Sequence, residues 1–228
     1  MSFPKQNDFI DIHTHGAVPS PGIFSVETLM AHEERIPVEI AGIAYTSGIH
    51  PWNLNDENHD RLLLYVEETA SSESVIAVGE AGFDKIKGPA MDLQRKTFEE
   101  QVCIAGKLRK PVVIHCVRAW EELISAHKNL KPATPWLIHG FRGKSELGMQ
   151  LIAKGMYLSF WFDFITRPEA ASLLKSLPVD HIFLETDGSG TDIRDIYIKV
   201  SGDLGLTIDE LKSQIFINFN RFFKFKPL

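Results

Sequence analysis

Two histidines, His13 and His15, stand one residue apart directly after a short apolar run. If residues 9–15 form a β-strand, positions two apart project from the same face, so the two imidazoles point the same way. Paired imidazoles are ligands for divalent transition metals. A His-rich surface turn explains the same two residues, because His-x-His alone is a weak motif. The other ionisable residues decide between these interpretations.

Further histidines and acids follow where other apolar runs end, at His50, Glu80, His115, His139 and Asp187. Each interrupts an otherwise apolar segment, and each is of a type that binds metals. A single residue of this kind is readily explained as a buried histidine whose hydrogen bonds are made within the core. A set of them on separate strand ends is hard to explain by packing. In a barrel of parallel strands, these ends meet at one mouth, where active sites lie. The pattern therefore predicts a metal site at that mouth.

The elements that would position these residues alternate between short β-branched runs and helical patterns, which is typical of parallel βα units. The predicted strands are 9–15, 22–29, 41–50, 75–82, 111–116, 135–141, 156–162 and 181–187. The predicted helices are 56–71, 91–109, 119–130, 145–154, 168–176, 192–200 and 208–222. Little chain separates the first and third strands, so we expect an α/β fold of the distorted TIM (β/α) barrel type with a shortened first βα repeat.

Length and composition set the class of protein. The 228 residues predict one domain, 1–228, because α/β barrels routinely reach this length. The net charge of −6 argues against a protein that coats long stretches of nucleic acid. Cys103 and Cys116 lie in apolar contexts and outside any Cys-x-x-Cys, so we expect reduced, buried thiols. With no apolar signal core or membrane-spanning run, we expect a cytoplasmic protein without a membrane partner.

Six short motifs occur in one order along the chain and together resemble the TatD family of metal-dependent deoxyribonucleases, within the amidohydrolase-like barrels. The motifs are His13-Thr14-His15, Gly48-Ile49-His50-Pro51, Gly79-Glu80-Ala81-Gly82-Phe83-Asp84, Ile114-His115-Cys116, His139-Gly140-Phe141-Arg142-Gly143 and Glu185-Thr186-Asp187. The Gly-Glu-x-Gly-x-Asp and Glu-Thr-Asp elements are the specific ones. The resemblance implies a barrel hydrolase that cleaves phosphodiester bonds in DNA by means of a hydroxide activated by two metals.

The resemblance also implies roles for individual residues. His13, His15 and Asp187 would hold one divalent ion, while His115 and His139 would hold a second, with Glu80 bridging both. Asp187 and Glu80 would be the catalytic carboxylates, and Asp187 would also orient the nucleophile or accept its proton.

The remaining candidates surround these ligands. His50 is expected to contact the phosphate or the leaving group. Arg118 and Arg142 are candidate phosphate clamps, against ordinary solvated arginines. Asp84 is expected either to support a ligand or to cap a loop. Trp52 stands where the family more often has a second His, and it either stacks on a base or closes the mouth.

The chain departs from the family pattern after Asp187, where the usual long loop is much shorter and Arg194 is the one candidate to replace its phosphate contacts. Substrate choice therefore stays open at this point. The leading prediction is a deoxyribonuclease acting on DNA ends or another phosphodiester. The alternatives are a hydrolase of a small ester, lactone or amide, or a barrel that binds metal without catalysis. Two ions of Zn, Mn, Mg, Fe or Ni fit such ligands, and a monomer is expected.

Overall fold

The computed structural model describes residues 3–223 of the chain. Its eight strands form one sheet in the order β1 to β8. The neighbouring strands β1 and β2, β3 and β4, β4 and β5, β5 and β6, and β7 and β8 pair in parallel. The strands are Phe9–Thr14 (β1), Ile23–Met30 (β2), Ile43–Gly48 (β3), Val75–Asp84 (β4), Val112–Val117 (β5), Trp136–Ile138 (β6), Tyr157–Phe160 (β7) and Ile182–Leu184 (β8). Sequential parallel order is that of a TIM barrel, and the predicted fold class is confirmed.

Helices lie between most of the strands. They are His59–Ala70 (α1), Met91–Leu108 (α2), Trp120–Leu130 (α3), Ser145–Ile152 (α4), Phe162–Ile165 (α5), Ala170–Ser176 (α6), Ile193–Leu204 (α7) and Ile208–Phe223 (α8). Helix α1 shows the predicted spacing, because Leu62, Val66 and Ala70 form one buried stripe. Within residues 3–223, none of the helices combines the length and apolar character needed to cross a bilayer.

The first βα repeat is shortened, as predicted. No helix joins β1 to β2, and a single 3₁₀ turn, Ala31–Glu33, follows β2. The β1–β2 connection contains two prolines, and Gly16 and Gly22 at its ends have positive φ values of 67° and 71°. Such a segment cannot supply the run of helical residues that a crossover helix needs.

The chain divides into two compact units. The first comprises Met1–Glu27, Glu39–Ala44 and His139–Leu228, and the second comprises Thr28–Val38 and Tyr45–Ile138. In the first unit, Phe24 packs edge-on against Phe219 of α8, with ring centroids 5.5 Å apart. In the second unit, Phe98 of α2 packs between Phe83 of β4 and Trp136 of β6. Each unit therefore buries aromatic side chains of its own.

Three local predictions need correction. Strand β4 runs on to Asp84, two residues beyond the predicted end, whereas β6 and β8 are only three residues long. The predicted strand 156–162 ends at Phe160, and a short helix, α5, follows it. Both cysteines are free as predicted, but Cys103 is exposed and Cys116 is only partly buried. Cys103 lies on the exposed side of α2. Its neighbours in the sequence are apolar, but on a helix they face a different side, so they do not imply that Cys103 is buried.

Candidate functional site

The first unit brings together three of the predicted ligands. His13 lies fully buried near the end of β1, and His15 and Asp187 are partly exposed beside it. The Nε2 atoms of both histidines lie 3.6 Å from Asp187 Oδ1. Two donors that each bind one ion at about 2.1 Å lie at most about 4.2 Å apart. Both of these pairs are therefore close enough to bind the same divalent cation, and the ligand atoms of all three residues lie within 4.8 Å of one another.

Strand β1 holds the Asp187 backbone in place. The Asp187 N–H donates to the His13 carbonyl at 3.1 Å, and its φ of 51° turns the chain away after β8. Asp11 accepts two hydrogen bonds from Thr186, one from the backbone N–H at 2.9 Å and one from the hydroxyl at 2.6 Å. The Thr186 hydroxyl also contacts the Thr14 hydroxyl at 2.7 Å. These contacts fix the residue before Asp187, so they limit where its carboxylate points.

The two acids of this region have opposite pKa shifts. Burial alone would raise the pKa of Asp187, but the imidazoles of His13 and His15, each 3.6 Å from its carboxylate, outweigh it and hold that pKa well below its usual range. Burial raises the pKa of Asp11 to about 7, and its two bonds from Thr186 only partly offset this. The surroundings of Asp187 therefore favour its ionised form, which suits a candidate metal ligand, whereas those of Asp11 oppose ionisation. Asp11 was not predicted as a site residue, although its position two residues before His13 was a signal.

His139 lies in the same unit, with its ring centroid 4.3 Å from that of His13. Its Nδ1 faces Glu185 Oε1 at 3.5 Å. Glu185 is fully buried and accepts hydrogen bonds from the Gly140 N–H at 2.7 Å and the Ser159 hydroxyl at 2.5 Å. A carboxylate behind a histidine orients the ring so that the other nitrogen points outward as a ligand. Glu185 belongs to the Glu185-Thr186-Asp187 motif, but no role was predicted for it.

The second unit holds another candidate ligand group, made by His50, Glu80 and His115. Glu80 Oε1 lies 2.9 Å from His115 Nδ1 and 3.3 Å from His50 Nε2. All three side chains are buried, and their ligand atoms lie within 4.8 Å of one another. His50 was predicted as a substrate contact, and the structure places it within this ligand group. One carboxylate and two imidazoles are a fitting donor set for a divalent transition metal.

Asp84 divides its two carboxylate oxygens between both of its expected roles. Oδ2 lies 3.2 Å from His115 Nε2 and accepts a hydrogen bond from the Trp52 indole N–H at 2.7 Å. Oδ1 accepts the backbone N–H groups of Ile86 and Lys87 at 2.7 and 2.9 Å. Asp84 therefore supports a candidate ligand and also caps the loop that follows β4. These bonds lower the pKa of Asp84 against the opposing effect of burial.

Glycines and two buried amides set the position of this second group. A Cβ on Gly82 would lie 1.9 Å from the His115 carbonyl oxygen, so only glycine allows β4 and β5 to approach this closely. From α2, Gln94 pairs with both backbone groups of Asp84, accepting at 2.8 Å and donating at 3.0 Å. Gln101 does the same at Ile49, with distances of 2.7 and 3.3 Å. Neither glutamine was predicted as a site residue, although each interrupts the buried face of α2 and was to that extent a signal.

The predicted arginine clamps are on the surface. Arg118 is exposed, with a φ of 52° directly after β5. Arg142 is exposed too, and its guanidinium lies 4.5 Å above the Trp161 ring and 3.6 Å from Asp163. Arg194 is bonded to Asp192 and to the Pro21 carbonyl. Their substrate roles stay predictions.

Comparisons with known proteins agree on one family. The family model described as "TatD related DNase" matches residues 25–224. A relative from Bacillus subtilis, named an uncharacterized metal-dependent hydrolase, is 29% identical over 145 residues, covering 61% of this chain and 56% of its own. The Cronobacter turicensis protein named 3'-5' ssDNA/RNA exonuclease TatD is 33% identical over 163 residues, covering 64% and 57%. The chain thus spans little more than half the length of these relatives.

Solved structures show the same fold. The TatD homologue YJJV of Escherichia coli matches with a TM-score of 0.78 at 20% identity, covering 97% of this chain and 100% of its own. A hydrolase of the TatD family from Entamoeba histolytica matches with a TM-score of 0.77 at 18% identity, covering 95% and 98%. At such identities the likeness concerns the fold alone.

Proposed function

Because the chain belongs to the family of TatD related DNases, we propose that it is a metal-dependent phosphodiesterase that shortens single-stranded nucleic acid from an end. One observation carries the proposal: each compact unit gathers imidazoles around a carboxylate with the spacing of ligands on one cation. The single-stranded substrate follows the printed name of the Cronobacter relative.

The ligand assignment follows from these contacts. His13, His15 and Asp187 would hold one cation, and Glu80, His115 and His50 would offer the donors for another. When bound, such cations lower the pKa of water and neutralise charge on the phosphate. The family pattern assigns His139 to the second ion and makes Glu80 a bridge between both, and this assignment stays a prediction. Zn, Mn, Mg, Fe and Ni all remain possible, since such mixed sites do not select one ion.

The chain's own residues bind and orient the reactants. In the proposed reaction, a water oxygen bonds to phosphorus, the bond to the leaving sugar oxygen breaks, and the proton lost by the water is balanced by one that the leaving sugar oxygen takes up to become a hydroxyl. Asp187 has a pKa held well below its usual range by His13 and His15. Such a carboxylate is a weak base, because a good general base has a pKa near the working pH. Asp187 therefore serves as a ligand that orients the water, rather than as its final proton acceptor.

The experiment starts from protein loaded with Mn²⁺ or Zn²⁺ and offers three kinds of substrate. These are a 5'-labelled single-stranded oligonucleotide, bis-p-nitrophenyl phosphate, and a panel of carboxyl esters and lactones. We expect a ladder of shortened oligonucleotides that disappears in the Glu80→Ala variant. Glu57→Ala is the matched control, because Glu57 is an exposed acid in the same unit.

The other outcomes assign the alternatives. Turnover of esters or lactones without any ladder would replace the nuclease proposal with a small-molecule hydrolase. Full metal occupancy with no turnover of any substrate would leave a metal-binding protein. A ladder that survives in Glu80→Ala would remove the assignment of Glu80 to the reaction.

A further inference from the structure

Trp52 is an exposed aromatic residue held rigidly beside the second ligand group. It leaves 46% of its surface exposed, which is unusual for a tryptophan in a folded domain. Its indole N–H is fixed to Asp84 Oδ2 at 2.7 Å. Its ring meets the rings of His50 and His115 edge-on, at centroid distances of 4.9 and 5.8 Å. The side chain is therefore anchored at its polar edge while much of its apolar surface faces solvent.

A lysine lies over the same ring. Lys87 Nζ is 3.8 Å from the Trp52 centroid. Lys87 is exposed, and within residues 3–223 its amine forms no ion pair with a carboxylate. Lys85, two residues earlier, is different because its amine pairs with Glu122 at 2.9 Å. Lys87 is thus a cation available to a ligand, while its backbone is fixed by Asp84 Oδ1 at 2.9 Å.

We propose that Trp52 and Lys87 form a binding element for an unpaired nucleotide, in which a base stacks on the Trp52 ring and the Lys87 amine moves onto the neighbouring phosphate. The proposal rests on the proposed function and names the form of its substrate. A paired base inside a duplex has both faces covered by its neighbours, so the indole can stack more readily on the bases of a single strand. Stacking on an aromatic ring tolerates any base, which suits an enzyme that removes nucleotides in succession.

Asp84 connects Trp52 and Lys87 to the second ligand group. One carboxylate contacts His115, the Trp52 indole and the Lys87 backbone. The Trp52 ring and the Lys87 backbone are therefore held at fixed positions relative to His115, a candidate metal ligand, before any substrate binds. Such preorganisation reduces the entropy lost on binding.

The test measures binding rather than turnover. Metal-loaded protein is titrated into a fluorescein-labelled phosphorothioate dT12, which resists hydrolysis, and into a 12-mer with the same backbone but no bases. We expect wild type to bind dT12 roughly tenfold or more tightly than the abasic strand. Trp52→Ala should abolish this difference, and Trp52→Phe should keep most of it, because Phe retains a ring and loses only the bond to Asp84.

The lysine has its own matched control. Lys87→Ala should weaken both strands alike and reduce the slope of log affinity against log salt by roughly 0.7, as expected for one phosphate contact on a single strand. Lys85→Ala removes the same charge from the same loop and should change the slope less, since Glu122 already neutralises that amine. Ile86→Ala, an exposed neighbour, should leave both affinities unchanged.

Three outcomes decide the proposal. An unchanged base preference in Trp52→Ala overturns it. An equal loss in Trp52→Phe and Trp52→Ala, together with lost metal content, also overturns it, because Trp52 would then act only through Asp84. A base preference that depends on Trp52 in a protein without nuclease activity would uphold the binding element and remove the proposed function.

Discussion

Replacing Gly82 with alanine tests whether close approach of β4 and β5 builds the second ligand group. The added Cβ would lie 1.9 Å from the His115 carbonyl oxygen, whereas ordinary contacts begin near 3.4 Å. The obstacle is strand backbone, so no rotamer change relieves it. One strand must move by about 1.5 Å. A shift of that size exceeds what the 2.9 Å contact between Glu80 and His115 tolerates.

The expected cost follows from the same geometry. Overpacking a core costs about 1–3 kcal/mol where side chains can yield. Backbone must yield here, so we expect about 3 kcal/mol or more. For a chain of this size, about 1 kcal/mol lowers Tm by roughly 2–4 °C. Gly82→Ala should therefore lower Tm by roughly 6–12 °C, with weaker metal binding.

Thermal unfolding followed by circular dichroism measures the effect, and competition with a chelating dye measures metal affinity. Gly106→Ala is the matched control, because Gly106 lies in α2 with no atom within 4 Å of an added Cβ. Alanine is the better helix former, so this variant should be more stable by up to about 1 kcal/mol. A Gly82→Ala protein that matches wild type in both Tm and metal affinity would refute the account of this strand contact.

Three further predictions concern the ligand groups and their supports. Removing metal with EDTA should lower Tm by roughly 5–10 °C relative to protein that is kept with the metal at 100 times its dissociation constant, since metal binding at that concentration contributes about 2.7 kcal/mol to stability. An unchanged Tm would argue against metal binding to the folded protein. Glu185→Gln keeps the shape behind His139 but removes its charge, so metal affinity by chelator competition should fall roughly 10–100-fold. Asp11 has a pKa of about 7 in the fold against 3.8 ordinarily, so the folded state binds the proton more tightly than the unfolded chain. Its stabilising contribution is complete below pH 3.8 and is lost as pH rises towards 7. In metal-free protein, chemical denaturation should therefore show Asp11→Asn gaining stability relative to wild type across that range, and a constant difference would contradict the assignment.

Much of the fold could be predicted because its signals are local. The stripe of Leu62, Val66 and Ala70 predicts α1 without knowledge of its neighbours, since helical periodicity belongs to the segment itself. The shortened first repeat could be predicted from the short segment between the first and third strands, and the prolines and glycines of the β1–β2 connection agree with it. Boundaries were less accurate, as the longer β4 and the unpredicted α5 show, because packing beyond the segment decides where a strand ends.

The candidate ligands were visible for a different reason. His13, Glu80 and Asp187 are polar residues at the ends of apolar runs. Such exceptions to a local pattern can be recognised from the sequence alone. Cys103 shows the limit of this reasoning, because an apolar context along a helix does not determine which side of the helix a residue occupies.

By itself, the sequence determined the strand and helix alternation, the family and the types of residue that could hold metal. Only the tertiary structure decided that His50 joins Glu80 and His115, that Glu185 lies behind His139, and that Asp84 serves two roles with its two oxygens. The physical reason is that these contacts join residues far apart along the chain. Their distances depend on strand register and on glycine contacts such as that of Gly82, which no local pattern encodes.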